Sequence, residues 1–264
     1  MIISDKYKFV FVHIPKNAGT EVRSLIQRFD DTKGRFENPV ECHPSLGTID
    51  YAHLPLRILE KYFPEEYKKI INYKTFAIVR NPTVRFISSF SQHLRQTNQK
   101  PIHEITSKEQ LSELLRIIDW LKENDQLEIL PSEYVHFTPQ HKYIFNGNEE
   151  VIENLFLTTQ IVDVAKFISD LTGETIAYKS SRKNPTYQYK NSIFRSVCES
   201  IRPLYRVSKK CIPEITLEWM RNAVYKKGSE SYLQLLNDPT VEEFVHEFYK
   251  KDFELYETLQ GRNR

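Results

Sequence analysis

The sequence has 264 residues, 40% of them hydrophobic and 27% charged, with seven glycines, three cysteines and a formal net charge of +2. That apolar content supports one substantial core and excludes a disordered or fibrous chain. No run approaches eighteen consecutive apolar residues, so nothing in it reads as a membrane span.

Taken in chain order, residues 8–14 form a β-branched and aromatic run that predicts a buried strand. The segment Pro15-Lys16-Asn17-Ala18-Gly19-Thr20 follows, then Val22, Leu25, Ile26 and Phe29 at helical spacing. Residues 30–48 are polar, contain Gly and Pro, and read as loop. Pro55 suits a first helical position ahead of Leu56, Leu59 and Phe63. Residues 75–79 predict a second buried strand that stops at Arg80, and Asn81-Pro82 supplies a cap and first turn. In the helix after it, Val84, Ile87 and Leu94 form the apolar stripe, with Arg85, Ser88 and Gln92 on an adjacent face. Ser107 and Gln110 read as a capping box for a helix carrying Leu111, Leu114, Leu115, Ile118 and Leu121. Residues 155–159 predict a strand, 161–172 a helix stopped by Gly173, and 241–259 a last helix carrying Val241, Phe244, Val245 and Phe248. Two strand–loop–helix units in succession predict an α/β fold with a parallel sheet. No linker divides the chain, so one domain over residues 1–264 is expected.

Charge is unevenly spread. Residues 179–210 hold nine Lys or Arg against the single acid Glu199, leaving the remainder at −6. Such a segment attracts polyanions or phosphates, or is simply a solvated basic face. It lacks a recognised nucleic-acid reader motif, so no nucleic-acid partner is expected. Cys42, Cys198 and Cys211 are odd in number and show no CxxC spacing, which argues against a secreted disulfide framework. The N-terminal apolar run is short and has no small-residue cleavage site, so a cytoplasmic location is expected. No HExxH motif or Cys/His cluster suggests a metal.

Two segments carry chemistry. Residues 11–20, Phe-Val-His-Ile-Pro-Lys-Asn-Ala-Gly-Thr, join a strand to a helix through a tight loop. Such a junction aims backbone N–H groups and the helix dipole at one place, which suits an anion. Lys16 adds a positive charge and Thr20 a hydroxyl. The lysine precedes the glycine, so this is not a Walker A loop. In residues 78–88, Arg80 lies at the carboxyl end of a strand, where ligands bind in open α/β sheets, and Ser88 sits two turns into the following helix. Each segment alone is also compatible with an ordinary capped junction.

Together the two segments resemble the signature of PAPS-dependent sulfotransferases. Residues 13–20, HIPKNAGT, are similar to the family's 5′-phosphosulfate loop, and residues 79–90, VRNPTVRFISSF, to its 3′-phosphate motif. Tyr51-Ala52-His53-Leu54-Pro55, Thr138-Pro139-Gln140 and residues 248–253 resemble further segments of the carbohydrate branch, which includes heparan sulfate 2-O- and chondroitin-type enzymes. Asn17 and Glu21 depart from the usual Thr and Ser, and a carboxylate at Glu21 would repel a phosphate unless it pointed away.

The resemblance implies a P-loop-like three-layer fold and sulfuryl transfer from 3′-phosphoadenosine 5′-phosphosulfate (PAPS) to a hydroxyl, with adenosine 3′,5′-bisphosphate as product and a glycan as the expected acceptor. It implies that Lys16 serves the leaving group and that the Asn17, Ala18, Gly19 and Thr20 amides hold the 5′-phosphate. Arg80 and Ser88 would hold the 3′-phosphate, with Arg182 and Lys183 closing over the nucleotide. His53 is the expected general base, since a neutral imidazole takes a proton near pH 7. His43 is its rival. His13 reads as structural, while His136 and His141 could face the acceptor. Two other readings are a kinase-like phosphotransferase, which would require ATP and magnesium, and a non-catalytic module for anionic glycans.

Overall fold

The computed structural model describes residues 1–37, 40–97, 105–178, 187–189, 225–227 and 232–262. Its centre is a four-stranded sheet. Strand β1 (Ile2–Ser4) runs antiparallel to β2 (Phe9–Val12), and β2 leads into helix α1 (Gly19–Ile26). A hairpin of β3 (Val40–His43) and β4 (Gly47–Asp50) follows, then the short helices α2 (Leu56–Tyr62) and α3 (Pro64–Asn72). Strand β5 (Lys74–Val79) pairs parallel with β2 and opens into α4 (Pro82–Thr97), after which comes α5 (Ser107–Glu123). The small ladder β6 (Phe145–Asn146) and β7 (Glu149–Glu150) precedes β8 (Asn154–Leu157), which pairs parallel with β5. Helix α6 (Ile161–Thr172) comes next, then the two-stranded ladder β9 (Tyr187–Tyr189) and β10 (Tyr225–Lys227). Helices α7 (Pro239–Phe248) and α8 (Lys250–Arg262) close the chain. The sheet order β1-β2-β5-β8 makes a mixed α/β fold with a mostly parallel sheet, as expected.

The period-two alternation of the strands explains the layers. Phe9, Phe11, Phe76 and Ile78 face one side, where Val22 and Ile26 of α1 and Ile161, Val164 and Ile168 of α6 cover them. Val10, Val12, Ala77 and Val79 face the other, under Leu56, Ile58 and Leu59 of α2, Ile70 of α3 and Leu259 of α8. Each fully buried side chain of this size contributes about 1.5–3 kcal/mol of burial free energy. A third cluster joins α4, α5 and α7 beside the sheet.

The structure corrects several local expectations. Residues 40–50 form a hairpin rather than loop, and β1 has no counterpart in the predicted elements. Its outer edge is covered where the Asp31 amide donates to the Ile3 carbonyl at 2.9 Å, which protects an otherwise open strand. The capping box lies one residue earlier than expected. Thr106 Oγ1 accepts from the Glu109 amide at 3.2 Å, and the Glu109 carboxylate accepts from the Thr106 amide at 2.8 Å. A carboxylate suits the positive helix start better than an amide does, and Gln110 instead bonds the Ile105 carbonyl. On α4, Ile87 and Leu94 are buried as expected, but Val84 is exposed and Arg85 is buried. The last helix divides at Tyr249, whose hydroxyl donates to the Phe137 carbonyl at 2.8 Å. Residues 179–186 and 190–210 of the basic segment, with Arg182 and Lys183, lie outside the described residues. Among the described residues, no helix is long and apolar enough to cross a membrane.

Candidate functional site

The loop between β2 and α1 is held in a costly conformation. Lys16 and Ala18 both adopt positive φ, 67° and 58°, a region that costs a non-glycine residue about 1–2 kcal/mol. Such strain persists only where the surroundings impose it, and it gathers at functional sites. Ala18 is the N-cap of α1 and no side chain caps that end. Gly19 opens the helix because nothing larger fits: a Cβ there would lie 1.8 Å from His13 Nε2. The glycine therefore lets the helix start pack against the imidazole at the end of β2.

The second junction meets the first directly. Arg80 Nη1 donates to the Lys16 carbonyl at 2.9 Å, so the two segments form one locus at the carboxyl ends of adjacent parallel strands. Burial, and then the nearby Arg85, lower the Arg80 pKa from the ordinary guanidinium value. Among the described residues no carboxylate pairs with Arg80. Lys16 Nζ donates to Gln92 Oε1 at 3.3 Å. Gln92 stands one turn beyond Ser88, so that helix face, with half-buried Ser88, looks toward the loop. Thr20 is exposed on the first turn of α1.

Buried polar groups beneath these junctions hold them together. Asn17 Nδ2 donates to the Ile78 carbonyl at 2.7 Å and to Gln140 Oε1 at 2.5 Å. Gln140 Oε1 also accepts from the Arg80 amide, and its Nε2 donates to the Arg80 carbonyl. Asp252, at the start of α8, accepts from the Gln140 amide at 2.7 Å and from His141 at both its amide and Nδ1, each at 2.9 Å. Arg85 donates to the carbonyls of Pro15, His136 and Thr138, which tie it to the loop from below. The Asn17 side chain is thus turned inward, and only its backbone can serve a ligand.

Three imidazoles stand on the other flank. The 3₁₀ turn Tyr51–His53 is capped by Asp50, whose Oδ1 accepts from the Ala52 amide at 2.8 Å while Oδ2 pairs with His53 Nδ1 at 2.8 Å. A proton on Nδ1, shared with Asp50, leaves Nε2 as the acceptor nitrogen of a neutral His53. Burial pushes His53 below the ordinary histidine pKa of 6.5, and Asp50 opposes that fall. The His53 ring lies 4.8 Å from His13 and 5.4 Å from His136, centroid to centroid. Burial drives His13 well below the ordinary value and, with the charges of His53 and Lys16, takes His136 down to about 3. All three rings are neutral at pH 7, and His13 Nδ1 and His136 Nδ1 are buried without a partner. The cluster does not form a group able to hold a metal ion.

The structure therefore brings together Lys16, Asn17, Ala18, Gly19, Thr20 and Arg80, places Ser88 one turn before the Gln92 that bonds Lys16, and sets His53 beside His13 at the strand end. His43 lies apart, its ring 5.4 Å from Phe63 and its Nδ1 accepting from the Ser45 amide. His141 is tied to Asp252. Sequence reasoning missed Asp50, Arg85, Gln92 and Asp252 as supports. Only the Asp-x-x-His spacing of residues 50–53 offered a signal. Glu21, suspected of repelling a phosphate, is engaged elsewhere: its Oε1 accepts from the Tyr178 hydroxyl at 2.5 Å.

Comparison with known proteins gives one match of broad extent. A family model described as the Sulfotransferase family matches residues 1–257. No curated protein and no solved structure matches the chain.

Proposed function

The chain belongs to the sulfotransferase family, and on that premise we propose that it transfers the sulfuryl group of PAPS to a hydroxyl of a carbohydrate acceptor. Sulfuryl transfer is the family's chemistry; the donor, the acceptor class and the residue roles are our reading. The observation that supports it is the Arg80–Lys16 hydrogen bond, which joins the two segments we read as anion-binding. A single doubly phosphorylated nucleotide can then reach both. We read residues 1–264 as one P-loop-like domain, since the supports of the site come from positions as distant as Asn17 and Asp252.

In this reading, the amides of Asn17, Ala18, Gly19 and Thr20, with the Thr20 hydroxyl, hold the 5′-phosphate at the helix start. Arg80 and Ser88 hold the 3′-phosphate, which selects PAPS over donors of ATP type. His53 Nε2 accepts the proton of the acceptor hydroxyl as its oxygen bonds to sulfur. The bond from sulfur to the bridging oxygen breaks, and Lys16 meets the charge that builds on that oxygen. Positioning and electrostatics carry most of such a transfer, as they do for phosphoryl groups. Arg182 and Lys183 are proposed to close over the nucleotide.

Thermal shift tests the donor assignment, because a ligand that binds only the native state raises its melting temperature. Adenosine 3′,5′-bisphosphate should stabilise the wild-type chain, and Arg80→Ala should lose that stabilisation. A larger shift with ATP and magnesium, or indifference to both nucleotides, would overturn the reading. Turnover of labelled PAPS with candidate glycans then identifies the acceptor.

A further inference from the structure

Glu21 is the third residue of α1, one turn from the uncapped amides assigned to the 5′-phosphate. A glutamate at that helix position ordinarily folds back on the first N–H groups, attracted by their partial positive charge. There it would both occupy the amides and repel an incoming anion. In this structure no side chain caps that end, and Glu21 Oε1 instead accepts from the Tyr178 hydroxyl. Tyr178 is well placed to hold it. Its segment is anchored where the Ile176 amide donates to Ser169 Oγ and where Glu174 accepts from both Tyr7 and Arg28. Its ring packs on the cluster that covers β2, β5, α1 and α6.

We propose that Tyr178 is a positioning residue of the donor site, which keeps the Glu21 carboxylate off the amides at the start of α1 and so leaves them open to the donor's 5′-phosphate. This rests on the donor assignment above. Tyr178 touches no reacting atom, and it acts through the acid.

Four full-length proteins test it: wild type, Tyr178→Phe, Glu21→Gln and the double variant, each titrated with adenosine 3′,5′-bisphosphate by calorimetry. Tyr178→Phe should raise Kd about tenfold at low salt, less at high salt, since a released carboxylate competes and repels. Glu21→Gln alone should bind as well as wild type or better. The double variant should return to within about twofold of Glu21→Gln, a rescue that lost packing could not give. An unchanged Kd in Tyr178→Phe, or a double variant as weak as Tyr178→Phe, would overturn the proposal. Nucleotide-free amide spectra separate it from the donor assignment. The Gly19 and Thr20 resonances should shift in Tyr178→Phe and shift back in the double variant. If they do so while wild type ignores the bisphosphate, the donor assignment fails and the restraint on Glu21 stands. If they stay put in Tyr178→Phe, the restraint itself is refuted.

Discussion

His53 and Asp50 show how two side chains divide one task. The carboxylate is committed to the turn and to Nδ1 of the ring, so the imidazole has one tautomer and one free lone pair. His53→Ala should lower kcat by about 10²–10⁴, the usual worth of a general base, while the affinity for adenosine 3′,5′-bisphosphate stays within about twofold of wild type. Asp50→Asn should lower kcat about a hundredfold or more, because the ring is no longer held in the productive tautomer. The pH profile adds a sign. As the proposed base, His53 would work deprotonated, and burial lowers its pKa from the ordinary 6.5, so kcat/KM should be flat through neutrality and fall only on the acid side. Asp50 pushes that pKa upward, so Asp50→Asn should move the acid limb to still lower pH. A limb above pH 7, or one that rises in the variant, would remove His53 from the role of base.

At the junction of β2 and α1, one element ends and the next begins with almost no space between them. Gly19→Ala places a methyl group where the His13 ring lies, so the ring or the helix start must shift. Overpacking of this kind costs about 1–3 kcal/mol, measurable as a lower urea midpoint, and it should also weaken nucleotide binding. An unchanged midpoint would mean that the imidazole moves aside freely. The elements of the sheet were legible in the sequence because alternation and the helical repeat describe how strands and helices bury their faces. Residues 8–14, 75–79 and 155–159 each contain most of a real strand. What eluded that reading has a physical cause in each instance. β1 is three residues long, too short to show a period. Arg85 is buried because three carbonyls from distant loops converge on it, which local sequence does not encode. Lys16 and Arg80 were legible as separate candidate anion ligands, but the hydrogen bond that unites them depends on β2 and β5 being neighbours.

Across the whole molecule, the site is stitched from segments far apart in the chain. Asp252 fixes Gln140, Gln140 fixes Asn17 and Arg80, and these carry the two junctions. Asp252→Ala leaves the Gln140 and His141 donors buried or half-buried without their acceptor, a loss of about 2–4 kcal/mol in chemical denaturation. The same variant should bind adenosine 3′,5′-bisphosphate more weakly, although Asp252 reaches no part of the proposed donor site. Weaker stability with unchanged affinity would show that α8 supports the core but not the loop.

That dependence on α8 also sets when the protein becomes competent. Both strand-to-helix junctions are synthesised well before Asp252, the carboxylate that secures the glutamine beneath them. Contacts of such long separation form late and slowly. A nascent chain still holding α8 inside the exit tunnel would have its proposed phosphate ligands and lack their alignment, so nucleotide capture should begin only once α8 has emerged.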